Sequence, residues 1–267
     1  MIKLGLGYSF WNSAAEIPRG LDGVYQHVWK IYGIDGRYAN FPGGPFNKFS
    51  TDGSRELVLQ YPNSVVEKYY GYQTEKRQRY FTMAGEDRCE FLLVMDSDEY
   101  VHPDYNDWEL FYRNLEKKSR QYPEQQCFCI KIYIAKDWEK GKNIVRRGHF
   151  QKYVRIHKNP AKQRYALGTH YYFCHRDDTE SEMIRDKKEF LNPALEEYEK
   201  YTVDGVRFII DSKMRQRPFL TARDGWAVDT QEDEEKYRYF LWVKYCRPII
   251  FQKYPHLKKD PMMKRLP

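Results

Sequence analysis

Near the middle of the chain, an apolar run at residues 91–95 passes directly into three carboxylates, those of Asp96, Asp98 and Glu99. The run has the length and composition of a buried strand, and open α/β folds bind ligands at the carboxyl ends of such strands. Side chains alternate along a strand, so we expect Asp96 and Asp98 on the same side. Like charges this close favour a cation between them, and hard divalent ions suit carboxylate oxygens. Acidic residues that simply end a strand in a solvated turn are the structural alternative.

Strand and helix patterns alternate along the first half of the chain. Strands are predicted at residues 4–10, 27–34, 64–70 and 91–95, and helical segments begin near Ser13, Thr51 and Thr74. Thr74 is the expected N-cap of its helix. This alternation predicts a Rossmann-like α/β fold with a mixed, mostly parallel sheet flanked by helices.

The second half predicts further strands and a helical end. Pro103 and Asp104 lead into a predicted helix with an apolar stripe formed by Trp108, Phe111, Tyr112 and Leu115. Strands are predicted at residues 128–134, 150–156 and 169–174, which we expect to complete the mixed sheet. A short strand is predicted at residues 206–210, between charged helical stretches at residues 181–201 and 232–245. We expect one domain, residues 1–267, with a nucleotide-binding half (1–102), an acceptor half (103–180) and a mainly helical C-terminal extension (181–267).

Charge and cysteine usage narrow the class of protein. The net charge of +7 favours anionic partners, but 45 basic residues are interleaved with 38 acidic ones and no nucleic-acid motif is present, so nucleic-acid binding is not expected. The five cysteines form neither a CxxC motif nor an even framework, which is typical of reduced thiols. The amino terminus lacks the apolar core of a signal peptide, and no apolar run approaches the length of about 18 residues that a membrane span needs. A cytoplasmic protein is expected.

Four segments in a fixed order carry a resemblance to a known family. They are Ile34-Asp35-Gly36, Thr51-Asp52-Gly53-Ser54, the pair Lys76-Arg77, and the run from Phe91 to Glu99 with its DxD motif. In this order the chain resembles family 2 glycosyltransferases of the GT-A fold over residues 1 to about 175. It departs from the family pattern further on, since no clear Gln-x-x-Arg-Trp motif follows.

The resemblance implies a nucleotide-sugar donor and a Mn²⁺ or Mg²⁺ ion that bridges its diphosphate to the protein. Asp98 is then the principal metal ligand, and Asp96 contacts the metal or the ribose. Glu99 orients one of these carboxylates or holds a sugar hydroxyl, and these roles stay open. Asp35 resembles the family's nucleoside-binding Asp, with a turn-forming Asp-Gly as the alternative. His170 lies where the family often completes the metal site, with His175 as its competitor and a structural histidine as the alternative.

Other residues are candidates on the donor side. Lys76 and Arg77 face the diphosphate if their helix points its first turn at the site. An ordinary exposed basic turn is the alternative for both. Tyr8 is a candidate for stacking on the base, with core packing as the alternative.

The acceptor side is less defined. An inverting transferase needs a carboxylate base for the acceptor hydroxyl, and Asp177 and Asp178 are the candidates, with Asp224 as a rival. The segment from Tyr237 onward mixes aromatic and basic residues, which allows peripheral membrane contact. A terminal helix docked on the core is the favoured alternative for this segment.

The leading hypothesis is therefore a metal-dependent glycosyltransferase of the hexosyltransferase type. It would move a sugar from a nucleotide-sugar donor to a hydroxyl of a glycan, lipid or protein, with inversion. Two alternatives stay open. One is a catalytically inactive GT-A-like protein that binds nucleotides or glycans, and the other is an Asp-based phosphohydrolase.

Overall fold

The computed structural model describes residues 2–38, 47–135, 150–165, 173–177, 191 and 197–211. The chain divides into two compact units, one formed by Met1–Arg37 with Asn47–Arg215 and the other by Tyr38–Phe46 with Gln216–Pro267. Tyr38 is the only described residue of the second unit. The helical stretch expected at residues 232–245 and the tail from Tyr237 lie outside the described residues. The division into nucleotide-binding and acceptor halves stays a prediction.

The described part of the chain contains ten strands and four α-helices. The strands are β1 (Leu4–Phe10), β2 (Lys30–Asp35), β3 (Ser64–Lys68), β4 (Phe91–Asp96), β5 (Glu99–Asn106), β6 (Cys127–Ala135), β7 (Phe150–Lys158), β8 (Gln163–Tyr165), β9 (Phe173–His175) and β10 (Thr202–Asp211). The helices are α1 (Ile17–Leu21), α2 (Ser54–Leu59), α3 (Gln73–Glu86) and α4 (Trp108–Gln121). Among these helices, none combines the length and the apolar character that a membrane span requires.

Eight of the strands form one sheet in the order β3-β2-β1-β4-β7-β6-β10-β5. The pairs β3-β2, β2-β1, β1-β4 and β6-β10 are parallel. Strand β7 runs antiparallel to both β4 and β6, and β5 runs antiparallel to β10. The predicted α/β fold with a mixed, mostly parallel sheet flanked by helices is confirmed.

The two faces of the sheet have separate cores because side chains alternate along each strand. The even-numbered residues of β1 (Leu4, Leu6, Tyr8 and Phe10) belong to the core that also contains residues of α1, α2 and α4. The opposite face packs on α3 through Tyr80, Phe81 and Ala84. A Cβ at Gly7 of β1 would lie 2.6 Å from the Tyr80 ring, so glycine is what lets α3 approach the sheet here.

Three local predictions were wrong. Helix α3 begins at Gln73 rather than after a Thr74 cap, since the Glu75 carboxylate accepts the N–H of Tyr72 at 2.9 Å and closes the first turn. Pro103 and Asp104 lie within strand β5 rather than at the start of a helix, and β5 tolerates proline because it is at the edge of the sheet. The predicted helix after them is confirmed as α4, whose Trp108, Phe111 and Leu115 are buried.

The third error concerns the strand predicted at residues 169–174. Its described part, β9, pairs with β8 in a separate two-stranded sheet instead of extending the main one. Strand β8 itself is too short to show a pattern in the sequence.

Candidate functional site

The residues 96–99, which we call the acidic turn, lie where the strand order of the sheet reverses. The chain leaves β1 toward β2 and β3 on one side and returns to β4 on the other side of β1. In open α/β sheets, ligands bind in the crevice outside the carboxyl ends of strands at such a reversal. Asp96 ends β4 in register with Ser9 of β1, and Ser13 Oγ donates to Ser97 Oγ at 3.2 Å. The acidic turn therefore occupies the position that the fold itself favours for a ligand.

The shape of the turn differs from the expected one. Strand β4 ends at Asp96, Ser97 and Asp98 form a turn, and Glu99 opens β5. Strand alternation does not apply between Asp96 and Asp98, because the chain turns after Asp96, and a shared side for the two carboxylates stays a prediction. Asp98 is partly exposed, and its role as principal metal ligand stays a prediction.

Two arginines from different elements converge on the turn. Arg77 of α3 forms an ion pair with Asp96 Oδ1. Arg155 of β7 places Nη2 at 2.5 Å from Glu99 Oε1 and 3.5 Å from Asp96 Oδ2. The side chains of Arg77, Arg155 and Glu99 are 4 %, 12 % and 1 % exposed, so these charges interact through a largely desolvated region. Each arginine is expected to depend strongly on its carboxylate partner.

Burial and the opposite charge of the partner have opposing effects on the pKa values of Glu99 and Arg155. Burial, together with the negative charges of Asp96 and Asp98, raises the pKa of Glu99 to about 7 against the lowering effect of Arg155. Burial lowers the pKa of Arg155, but the charges of Glu99 and Asp96 outweigh it and leave that pKa above its usual value. Arg155 is thus the charge that most opposes protonation of Glu99.

Asp96 and Glu99 are surrounded by hydrogen-bond donors, which affects whether they can bind the expected metal ion. Both oxygens of Asp96 face guanidinium groups, while Glu99 Oε1 faces Arg155 and Oε2 accepts the backbone N–H of Asp96 at 3.0 Å. In the described part of the chain, no group of three or more His, Cys, Asp or Glu side chains is arranged to hold a metal ion. These two carboxylates therefore do not fit a divalent ion between them. The expected Mn²⁺ or Mg²⁺ stays a prediction, and His170, its expected third ligand, lies outside the described residues.

Lys76 and Arg77 are both buried, so the alternative of an ordinary exposed basic turn was wrong. Lys76 Nζ donates to the carbonyl oxygens of Phe10 at 2.8 Å and Gly36 at 2.5 Å. Burial lowers the pKa of Lys76 to about 7, while the charge of Asp35 raises it. These contacts tie the carboxyl ends of β1 and β2 to α3, and a direct contact of either residue with a diphosphate stays a prediction.

Asp35, at the end of β2, is fully buried and holds a neighbouring loop. Its Oδ1 accepts hydrogen bonds from Ser50 Oγ at 2.6 Å and from the Ser50 backbone N–H at 3.1 Å. Ser50 Oγ in turn accepts the backbone N–H of Asn12, and Asn12 Oδ1 accepts the N–H of Thr51. Asp35 thus fixes the segment that follows β1, and its contact with a nucleoside stays a prediction.

Asp52, part of the family-like segment before α2, connects the same loops. Its Oδ2 accepts the N–H of Ala14 at 3.0 Å, and its Oδ1 accepts the N–H of Ser54 at 3.1 Å and the Ser54 hydroxyl at 2.5 Å. These hydrogen bonds lower the pKa of Asp52, although burial alone would raise it. The carboxylate holds the start of α2 beside the loop after β1.

The remaining predicted site residues lie in different surroundings. Tyr8 is fully buried in β1, with its ring 5.8 Å from that of Phe10, which agrees with the packing alternative. Stacking of Tyr8 on a base stays a prediction. Asp177 is exposed in the turn after β9, and Asp178 lies outside the described residues, so the choice of base between them stays open.

Sequence reasoning missed Arg155. Its signal was weak but present, since it is a charged residue between Val154 and Ile156 in an otherwise apolar part of a predicted strand. A strand pattern shows that such a residue is unusual, but it does not show which partner the residue meets. The partners, Glu99 at the start of β5 and Asp96 at the end of β4, lie 56 or more residues earlier in the sequence.

Comparisons with known proteins give weak likenesses. No family model and no curated protein matches the chain. A crystal structure of S. aureus TarS 1-349 in complex with UDP-GlcNAc aligns with 54 % of this chain and 37 % of its own length, at 15 % identity and a TM-score of 0.33. A mannose-1-phosphate geranyltransferase from Thermus thermophilus aligns with 83 % of this chain and 61 % of its own length, at 12 % identity and a TM-score of 0.31.

This chain therefore spans less than two thirds of the length of these solved structures. Likenesses of this size do not establish a family. The function has to rest on the geometry at the carboxyl edge of the sheet.

Proposed function

We propose that the crevice at the acidic turn binds a nucleotide-sugar and that the chain transfers the sugar to a hydroxyl acceptor. The observation that carries this proposal is the position of the turn. Asp96, Ser97 and Asp98 follow the central strand β4 where the strand order reverses, next to the carboxyl ends of β1 and β2. A nucleotide with two phosphates is long enough to extend over several adjacent strand ends, which lie about 5 Å apart.

The chain's own residues supply two kinds of interaction there. Carboxylates accept hydrogen bonds from sugar and ribose hydroxyls, and Asp98 is the residue we assign to this contact. Arg77 and Arg155 neutralise the carboxylates of Asp96 and Glu99 at the same edge, which lowers the electrostatic cost of bringing an anionic diphosphate there.

An acceptor hydroxyl loses its proton during transfer, and we assign that proton to Asp177 or Asp178, with inversion at the sugar carbon. The transferred sugar is a hexose, and the acceptor is a glycan, a lipid or a protein. Dependence on Mn²⁺ or Mg²⁺ is a separate proposal, in which Asp98 is the ligand.

A thermal-shift screen of UDP, GDP, CDP and dTDP tests the donor half. Each nucleotide is added at about 100 times its Kd, once with Mn²⁺ and once with EDTA. One nucleotide should raise Tm by about 5 °C, from about 2.7 kcal/mol of binding free energy. A shift that needs Mn²⁺ supports metal dependence, and a shift that persists in EDTA contradicts it.

Asp98→Ala should remove the shift, whereas Asp104→Ala should keep it, because Asp104 is exposed on β5 away from the turn. If none of the four nucleotides changes Tm, the proposed function is wrong. If a nucleotide binds but no donor sugar is transferred to water or to any hydroxyl acceptor, the chain is a binding protein rather than a transferase.

A further inference from the structure

Strand β7 contains a bulge beside the acidic turn. Phe128 and Cys129 are adjacent in β6 and pair with Ile156 and Val154 of β7. Arg155 lies between these two partners in β7. The extra residue, Arg155, has no paired residue in β6. Bulges occur beside functional sites, where they redirect one side chain relative to the regular pleat.

Pairing between β7 and β4 ends next to this bulge. Ile156 pairs with Leu93, three residues before Asp96, and no described pair continues toward the end of β4. The bulge thus releases Arg155 from the ladder at the level where β4 delivers Asp96 to the sheet edge. From there its guanidinium reaches both Glu99 and Asp96.

We propose that Arg155 is the positioning residue of the acidic turn. Together with Arg77 it binds Asp96 and Glu99, so that these two carboxylates anchor arginines instead of a divalent ion. The turn from β4 into β5 is then held by charge at both of its ends. Its central residues, Ser97 and Asp98, are presented to the crevice by this anchoring.

The distances support a shared anchor rather than two separate ion pairs. One nitrogen, Arg155 Nη2, lies within 3.5 Å of an oxygen from each end of the turn. The Asp96 N–H donates to Glu99 Oε2, so the two ends also contact each other. A lysine could not reproduce this arrangement, because its side chain is one bond shorter and its ammonium would stop short of the position that Arg155 Nη2 occupies.

A stability cycle tests the anchoring without any ligand. At pH 8, where Glu99 is mostly ionised, Arg155→Gln should lower Tm by at least about 6 °C, since Glu99 then loses the positive charge that offsets its burial. Adding Glu99→Gln to that variant should restore part of the loss, because no unpaired charge then remains at this position. Arg113→Gln is the matched control, since it breaks an exposed ion pair with Glu109 and should change Tm by about 1 °C or less. If the losses in Tm from Arg155→Gln and Glu99→Gln simply add in the double variant, the proposed anchoring is wrong.

Crystals grown with Mn²⁺ test the metal part. An anomalous peak at bonding distance, about 2.0–2.4 Å, from an oxygen of Asp96 or Glu99 would overturn the proposal. A peak elsewhere, or none, supports it.

The positioning role rests on the proposed function and is measured through nucleotide binding. Arg155→Lys keeps a positive charge and should fold, but it should raise the Kd of the nucleotide selected in the screen by about tenfold. Unchanged affinity of Arg155→Lys would overturn the positioning role. Failure of the unaltered chain to bind any of the four nucleotides would overturn the proposed function and the positioning role together, while the stability cycle decides the anchoring separately.

Discussion

His157 should set part of the acid sensitivity of the fold. Its ring is fully buried on β7, 4.8 Å from the ring of Phe81. Nδ1 lies 3.1 Å from Gln163 Oε1, a carbonyl oxygen that can only accept, so Nδ1 carries the proton of a neutral imidazole. Burial lowers the pKa of His157 from 6.5 to about 3, because a second proton would place an ionic charge in this core.

The size of the effect follows from linkage between protonation and folding. The unfolded chain takes up the proton near pH 6.5 and the folded chain only near pH 3, so the unfolded state binds more protons between these values. The contribution of His157 to the free energy of unfolding is therefore fully present above about pH 6.5 and is lost as the pH falls from there toward about 3. At pH 5 the loss from this one residue is about 2 kcal/mol. Glu99 acts with the opposite sign, because its raised pKa makes the folded state bind the proton more tightly up to about pH 7.

A difference measurement separates the two contributions. His157→Gln keeps a neutral amide at every pH, whereas Glu99 titrates in both proteins. The free energy of unfolding is measured with urea for both proteins at pH 8 and pH 5. The difference between the wild type and the variant should be about 2 kcal/mol smaller at pH 5. This difference should stay constant between pH 7 and pH 8, where His157 is neutral in both states. Parallel losses of stability in the two proteins between pH 8 and pH 5 would refute a neutral, buried His157.

Three further substitutions test contacts around the site by urea or thermal unfolding. Gly36→Ala should destabilise the chain by about 2–3 kcal/mol, because its Cβ would lie 2.0 Å from the carbonyl oxygen of Tyr69, and an unchanged Tm would contradict this contact. Lys76→Met should cost about 2–3 kcal/mol, since it removes the lysine donor from the Gly36 carbonyl oxygen and leaves the Phe10 carbonyl oxygen with only the Gly36 N–H, and a stability equal to wild type would show that the lysine does not hold these strand ends. Asp52→Ala should cost about 1 kcal/mol through lost hydrogen bonds at the start of α2, and no loss would mean that solvent replaces them fully.

Local patterns in the sequence were enough to find most elements of the described sheet. Strand β1 was predicted with its observed bounds, and β4 and α2 were predicted to within a few residues, because apolar runs and polar loops mark them clearly. Strand β5 was missed because its sequence, with Pro103 and several exposed residues, has the composition of a loop. An edge strand receives its order from the neighbour it pairs with, here β10, and a local pattern does not contain that neighbour.

The sequence by itself determined the class of fold and the place of the carboxylates. An apolar strand followed at once by Asp96 and Asp98 puts negative charge at a sheet edge whatever the neighbouring strands are. Only the tertiary structure decided how that charge is compensated. Arg77 comes from α3 and Arg155 from a bulge in β7, and both reach the turn through packing between segments that lie 19 and about 60 residues from it. Burial then makes these contacts strong, because desolvated charges interact across a few ångströms with little screening, and neither arginine's own segment shows which carboxylate it meets.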